Sequence, residues 1–209
     1  MTGLIQKDFL SLRRYLKSTL FFLLAYNVIF IAVDQASIAT IVTVYIFSNL
    51  SVSVFAYDES CHWDTYARSL PLSHAKVVLS RYFMSGISVA AGILCGIFLT
   101  MIDIAVNGIS EYGLTTSISS VLSISFANIL IQSFTIPLIY RFGISRARVF
   151  TILGFAILFL ALFSSIPFLK TLLNSSNLGI LAVTVLLFLA VCVVLSYHIS
   201  CHIYEKRKK

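Results

Sequence analysis

Apolar runs long enough to cross a bilayer recur along this chain, and they limit the fold more than any other feature. Residues 77–106 carry only Arg81 and Asp103 as charged groups, and residues 178–204 carry no Asp, Glu, Lys or Arg. A membrane helix needs about 20 such residues. The runs are continuous and not alternating, which argues for helices over a β-barrel. Charged residues make up 11% of the 209, against about 25% in a soluble domain. There is too little polar surface to cover a water-soluble globule. The sequence therefore predicts an all-α polytopic membrane protein with residues 1–209 as a single transmembrane domain. Six spans are expected, near 19–33, 36–56, 77–106, 118–140, 149–169 and 178–204.

The distribution of the +7 net charge matters more than its sum. Lysines and arginines fall in the N-terminal stretch, in segment 57–81, in the short loop with Arg141, Arg146 and Arg148, and in the tail; Lys170 alone falls on the other side. The positive-inside rule then places both termini and segment 57–81 in the cytoplasm and requires an even number of spans. A nucleic-acid surface would need a basic face with interleaved aromatics, and no such pattern occurs. Cys61, Cys95, Cys192 and Cys201 have no paired spacing, so neither a disulfide framework nor a zinc site is indicated.

Residues 4–17 read as an amphipathic helix. Leu4, Ile5, Phe9, Leu12, Tyr15 and Leu16 fall on one side, with Lys7, Arg13, Arg14 and Lys17 on the other. This pattern suits a helix lying in the interface with its cations toward lipid headgroups. A cleaved signal peptide is the competing reading, but no clean small-x-small site follows.

Two spans carry polar stripes. In the second, Ser37, Thr40, Ser48 and Ser51 share a face. In the fourth, Ser117, Ser125, Asn128, Gln132 and Thr135 do so. Such groups either mediate helix packing or back-bond to their own carbonyls, or they line a wet cavity or a dimer seam. Thr40, Ser48, Ser51, Ser125, Asn128 and Gln132 are the candidates for the second role. In the third span Ser88, Gly92 and Gly96 form a small-x-x-x-small seam. Asp103, near that span's outer end, suits a hydrated structural role better than a proton relay.

Catalytic signatures are missing from the sequence. There is no phosphate-binding G-x-x-x-x-G-K-[ST], no H-E-x-x-H and no G-x-S-x-G. His198 and His202 lie one helical turn apart beside Cys201, but lack a third ligand at good spacing. No metal or cofactor is expected in this chain, and it is read as non-catalytic.

The conspicuous polar interruption is segment 57–81, between spans two and three. It holds Asp58, Glu59, Asp64, the only tryptophan (Trp63) and Pro71. Residues 61–68 can form a short helix exposing Trp63 and the Tyr66–Ala67 edge. Leu70, Pro71 and Leu72 must then be extended, because the residue before proline avoids the helical region. Ser73 can cap the third span. The outcome is either a rigid element across the membrane face that transmits movement from a docked partner, or a solvated loop.

This layout, with the run S-L-P-L-S-x-x-K-V-V-L-S-R-Y at 69–82, resembles the small bacterial membrane subunits of type-two ABC exporters. It is most similar to permeases that export bacteriocin-like or phenol-soluble-modulin-like peptides using separate ATPase subunits. The resemblance covers nearly the whole chain in hydropathy; its specific part is Asp58 to Tyr82, including Leu70, Pro71, Leu72, Ser73, Lys76 and Arg81.

The resemblance implies an elbow helix at 1–18 and a coupling segment at 57–76. Asp58, Glu59, Trp63, Asp64, Tyr66, Arg68, Leu70 and Pro71 would meet the ATPase subunit, which would hold the ATP and magnesium. A second permease subunit, membrane lipids and a peptide cargo are the other implied partners, and the bacterial plasma membrane is the implied location. Lipids or hydrophobic antibiotics are alternative cargo. The rival class is a substrate-binding membrane subunit of a vitamin or micronutrient importer, which would not need a rigid coupling element.

Overall fold

The structure is a computed structural model that describes residues 2–33, 35–69, 73–107, 113–164 and 178–206. Its elements are α1 (Thr2–Ala32), α2 (Ala36–Ser48), α3 (Leu50–Ser60), α4 (Trp63–Ser69), α5 (His74–Asn107), α6 (Gly113–Phe142), α7 (Ile144–Ser164) and α8 (Leu178–Lys206). No strand occurs among the described residues. Without water to satisfy exposed peptide groups, a helix is the one local structure that pairs each apolar run's backbone internally.

Among the described residues, four helical stretches are long and apolar enough to cross a membrane: Ile38–Ser60, His74–Val106, Ser117–Phe142 and Val183–Lys206. A fifth is α1, if its two arms, Gly3–Arg13 and Leu16–Ala32, count together; they are bent by 54°. The sequence predicts a separate interfacial helix followed by a first span. The backbone instead runs through both as one bent helix. The expected span at 149–169 lies partly outside the described residues. So do loop 170–177, residues 108–112 of the expected loop 107–117, and the expected extended run Leu70–Leu72; residues 113–117 of that loop are helical, in α6.

Two compact units divide the chain, Met1–Gln132 and Ser133–Lys209. In the first, α5 packs most extensively on α2. The small-residue seam explains the closeness. A Cβ at Gly96 would lie 2.6 Å from Val44 Cγ2 and 3.1 Å from Val121 Cγ1. One at Gly92 would meet the Val44 carbonyl and Ser48 Oγ, each at 3.1 Å. Close backbone approach of this kind drives helix association where apolar burial alone cannot. Toward the other end of the unit, Leu12, Leu50, Val54 and Met84 form a core, with Leu16 and Phe47 packed against it.

In the second unit, Ile136, Ile139, Tyr140, Ile144, Ala147 and Tyr204 are buried. Tyr140 and Tyr204 meet edge to face at 5.5 Å. Gly143 separates α6 from α7 with a φ of 79°, the left-handed closure that glycine adopts without Cβ strain, and its amide bonds the Ile139 carbonyl at 2.9 Å. Long apolar faces remain uncovered, among them Phe21, Phe22 and Leu24 on α1 and Leu186, Leu187 and Phe188 on α8. Such faces suit contact with lipid.

Candidate functional site

Where α3 ends, four charged side chains from three helices converge. Asp58, on the last turn of α3, is buried. Lys7 Nζ of α1 donates to its two carboxylate oxygens at 2.8 and 3.0 Å, and Arg81 Nη2 of α5 donates to Oδ2. Asp8 of α1 is buried to 1%, with its Oδ1 lying 3.0 Å from both Lys7 Nζ and Arg81 Nη1. The Asp8 contacts have ion-pair distance without hydrogen-bond geometry. Two cations and two anions thus neutralise each other, the condition under which buried charge is tolerated. The Arg81 guanidinium also lies 5.1 Å from the Phe55 ring centroid.

α4 joins this cluster through aromatic contact. His62, at a φ of 51°, turns the chain out of α3. The Cys61 amide bonds the Tyr57 carbonyl at 3.0 Å, and the Thr65 amide bonds the His62 carbonyl at 3.1 Å. The turn brings the Trp63 ring beneath Lys7 Nζ, 4.1 Å from its centroid, a cation–π contact that also shields the ion pairs from water. Tyr66 packs beside Trp63 at 5.2 Å and is otherwise exposed. Trp63 Nε1 is buried without a hydrogen-bond partner among the described residues. A groove of about 550 Å³ lies alongside, lined by Lys7, Leu10, Tyr57, Cys61 and Trp63 among others.

Of the candidate coupling residues, the structure brings Asp58 and Trp63 into this cluster and leaves Glu59 and Tyr66 at the surface. The side chains of Asp64 and Arg68, and all of Leu70 and Pro71, lie outside the described residues. The short helix expected at 61–68 is α4, displaced by one or two residues; of the edge expected to be exposed, Tyr66 is, whereas Ala67 is buried and Trp63 turns its Nε1 inward. Sequence reasoning missed Asp8; it set Lys7 among the headgroup-facing cations of the N-terminal helix and took Arg81 for topology and for the family pattern, whereas the structure pairs both with Asp58. A signal existed: Asp8 follows Ile5 by three positions and precedes Leu12 by four, which puts it on the apolar face of its helix.

The polar stripes of spans two and four face each other inside the first unit. Thr40, Ser48, Ser51, Ser125, Asn128 and Gln132 are all buried. Gln132 Nε2 donates to the Ser48 carbonyl at 2.5 Å. Its Oε1 accepts from Ser51 at 3.4 Å and from Ser85. Asn49 Nδ2 donates to Asn128 Oδ1 at 3.2 Å, and Ser125 back-bonds to the Val121 carbonyl at 2.8 Å. Gln132 and Asn128 are thus bonded helix to helix, whereas Ser125 bonds within its own helix and Ser48 Oγ is buried without a hydrogen-bond partner among the described residues.

Among the described residues no three His, Cys, Asp or Glu side chains converge to hold a metal. What the first cluster can do is mechanical: it ties α1, α3, α4 and α5 together at one point.

No curated protein and no solved structure matches the chain. A family model does, the one described as ABC-2 family transporter protein, over residues 3–205. With that match spanning nearly the whole sequence, and with its long apolar helices, the chain is a multi-pass membrane protein that belongs to the ABC-2 transporter family, whose members serve as membrane subunits alongside an ABC ATPase.

Proposed function

We propose that the chain is the permease subunit of an ATP-driven exporter of amphipathic peptides, with α4 as its coupling helix. The observation that carries this reading is the bond between α4 and the rest of the bundle. Trp63 sits under Lys7, and Lys7 is bound to Asp58, which is bound to Arg81. A push on α4 therefore reaches α1, α3 and α5 together and cannot be absorbed by a loose loop. The exposed Tyr66 and Glu59 are offered to the motor, and Asp64, Arg68, Leu70 and Pro71 are assigned the same role from the sequence. The first arm of α1 serves as the elbow helix along the cytoplasmic face of a bacterial plasma membrane, with both termini inside.

Two such subunits pair, each above an ATPase that binds ATP and magnesium. ATP binding draws the ATPases together, α4 moves, and the bundle opens to the other side. Thr40, Ser48, Ser51, Ser125, Asn128 and Gln132 then line the path that their burial keeps closed. Hydroxyls and amides beside many apolar side chains tolerate amphipathic cargo.

Co-purification tests this. The full chain, co-expressed with an ABC ATPase encoded beside it, is expected to retain that ATPase through detergent extraction, and Tyr66→Ala or Leu70→Ala to lose it. Unchanged retention and unchanged nucleotide turnover in both variants would refute the coupling role of α4. Cargo is read separately, by ATP-dependent movement of a labelled amphipathic helical peptide across reconstituted vesicles. Movement of a labelled phospholipid in its place overturns the peptide assignment.

A further inference from the structure

The second span is jointed. α2 stops at Ser48 and α3 starts at Leu50, with Asn49 between them at φ −85° and ψ 0°. At this joint the Val52 amide turns to the Asn49 carbonyl, 3.1 Å away and three residues back. That leaves the Ser48 carbonyl outside the helical ladder, buried within the bundle. Other helices take it up: Gln132 Nε2 of α6 donates to it at 2.5 Å, and Ser88 Oγ of α5 lies 3.1 Å away, its one proton shared with the Ser85 carbonyl of its own helix at 2.8 Å. The Asn49 side chain holds the upper arm, donating to the Tyr45 carbonyl at 2.9 Å, and reaches Asn128 of α6 at 3.2 Å.

A break in a membrane helix survives only where neighbours satisfy the freed backbone. Here the neighbours are side chains, which can let go. Asp58 lies nine residues beyond Asn49, about 14 Å along the helix. A bend of about 15° at the joint therefore moves Asp58 by about 4 Å. The ion cluster transmits that displacement in either direction, from α4 to the joint or from the joint to α4.

We propose that Gln132, assisted by Ser88, is the positioning residue that latches a hinge at Asn49, and that span two bends there when the latch opens. The link to the export cycle rests on the function proposed above; the hinge itself does not. Bending at Asn49 exposes the Ser48 carbonyl and parts Ser51 from Gln132. The polar stripe becomes available to water only in that state.

The test measures the bend directly, in the full chain in lipid nanodiscs without any ATPase. Spin labels are placed at Ile38→Cys and at native, exposed Cys61, with Cys95, Cys192 and Cys201 replaced by serine. The unaltered joint is expected to give one narrow distance distribution. Gln132→Ala removes a donor to a buried carbonyl and is expected to raise the population of shorter distances about ten-fold. Ser88→Ala acts in the same direction and provides a milder variant should Gln132→Ala fail to fold.

Adding Asn49→Ala to Gln132→Ala lets the Val52 amide return to the Ser48 carbonyl, and is expected to restore the narrow distribution. A general loss of packing offers no reason for that rescue. An unchanged distribution in both Gln132→Ala and Ser88→Ala, or a broadening that Asn49→Ala fails to reverse, overturns the hinge. Because no motor is present, failure here is separable from failure of the ATPase-association experiment.

Discussion

Asp58 and Arg81 are ion-paired across 23 positions of sequence, with Asp58 on the last turn of α3 and Arg81 two turns into α5. Their side chains are 10% and 6% exposed. The pair closes the segment that carries α4 into a loop fastened at its base. Arg81→Ala leaves two buried carboxylates facing Lys7 alone, and breaking a buried pair by removing one partner costs about 3–5 kcal/mol. A marked fall in the melting temperature of the detergent-solubilised chain is the expected result. The double variant Asp58→Asn with Arg81→Gln is expected to cost less than the two single changes summed, because each removes the charge that the other strands.

Lys7 occupies a more open position, 24% exposed, and its loss is expected to be milder. Lys7→Ala removes two partially screened ion pairs, to Asp58 and Asp8, and one cation–π contact, together about 1–3 kcal/mol. The spectroscopic consequence is sharper than the thermodynamic one. Trp63 is the only tryptophan, so all indole emission comes from this cluster. With the ammonium gone, water reaches the ring, and a red shift of the emission maximum is expected. Lys17→Ala, on an exposed residue, serves as the control and should leave the spectrum unmoved.

Hydropathy made the helical class, the long apolar stretches and the short element between spans two and three legible in the sequence, because each rests on local composition. The cluster around Asp58 was half legible. Trp63 and Asp58 stood out by type, whereas Lys7, Asp8 and Arg81 depend on where helices distant in sequence come together. The joint at Asn49 gave no warning at all. One asparagine in an apolar run reads as a packing residue, and only the places of Ser88 and Gln132 show that a carbonyl has left the ladder beside it. The bend within α1 was equally hidden, since an amphipathic arm and an apolar arm look the same whether joined or separate.

The glycine seam on α5 makes unequal demands along its length. A methyl at Gly96 must displace Val44 or Val121, and overpacking of this kind costs about 1–3 kcal/mol. Gly86 lies on the same helix with nothing within 4 Å of an added Cβ. Gly86→Ala is expected to be neutral or stabilising by up to about 1 kcal/mol. Thermal unfolding of the two variants side by side checks this. Equal losses would show that α5 does not approach α2 as closely as described.

α6 repeats, within the second unit, the device seen at Asn49. Pro137 sits inside the helix and has no amide hydrogen to give the carbonyl four residues back, which belongs to Ser133. Ser196 of α8 donates its hydroxyl to that carbonyl, and both serines are buried. Ser196→Ala is therefore expected to cost about 1–3 kcal/mol, the penalty for stranding a buried acceptor. Pro137→Ala supplies the missing amide, so in that background Ser196→Ala should cost much less. A double-mutant cycle on thermal stability measures the difference, with a coupling of about 1–2 kcal/mol expected. Strict additivity would mean that the Ser196 hydroxyl does not satisfy the carbonyl that the proline releases.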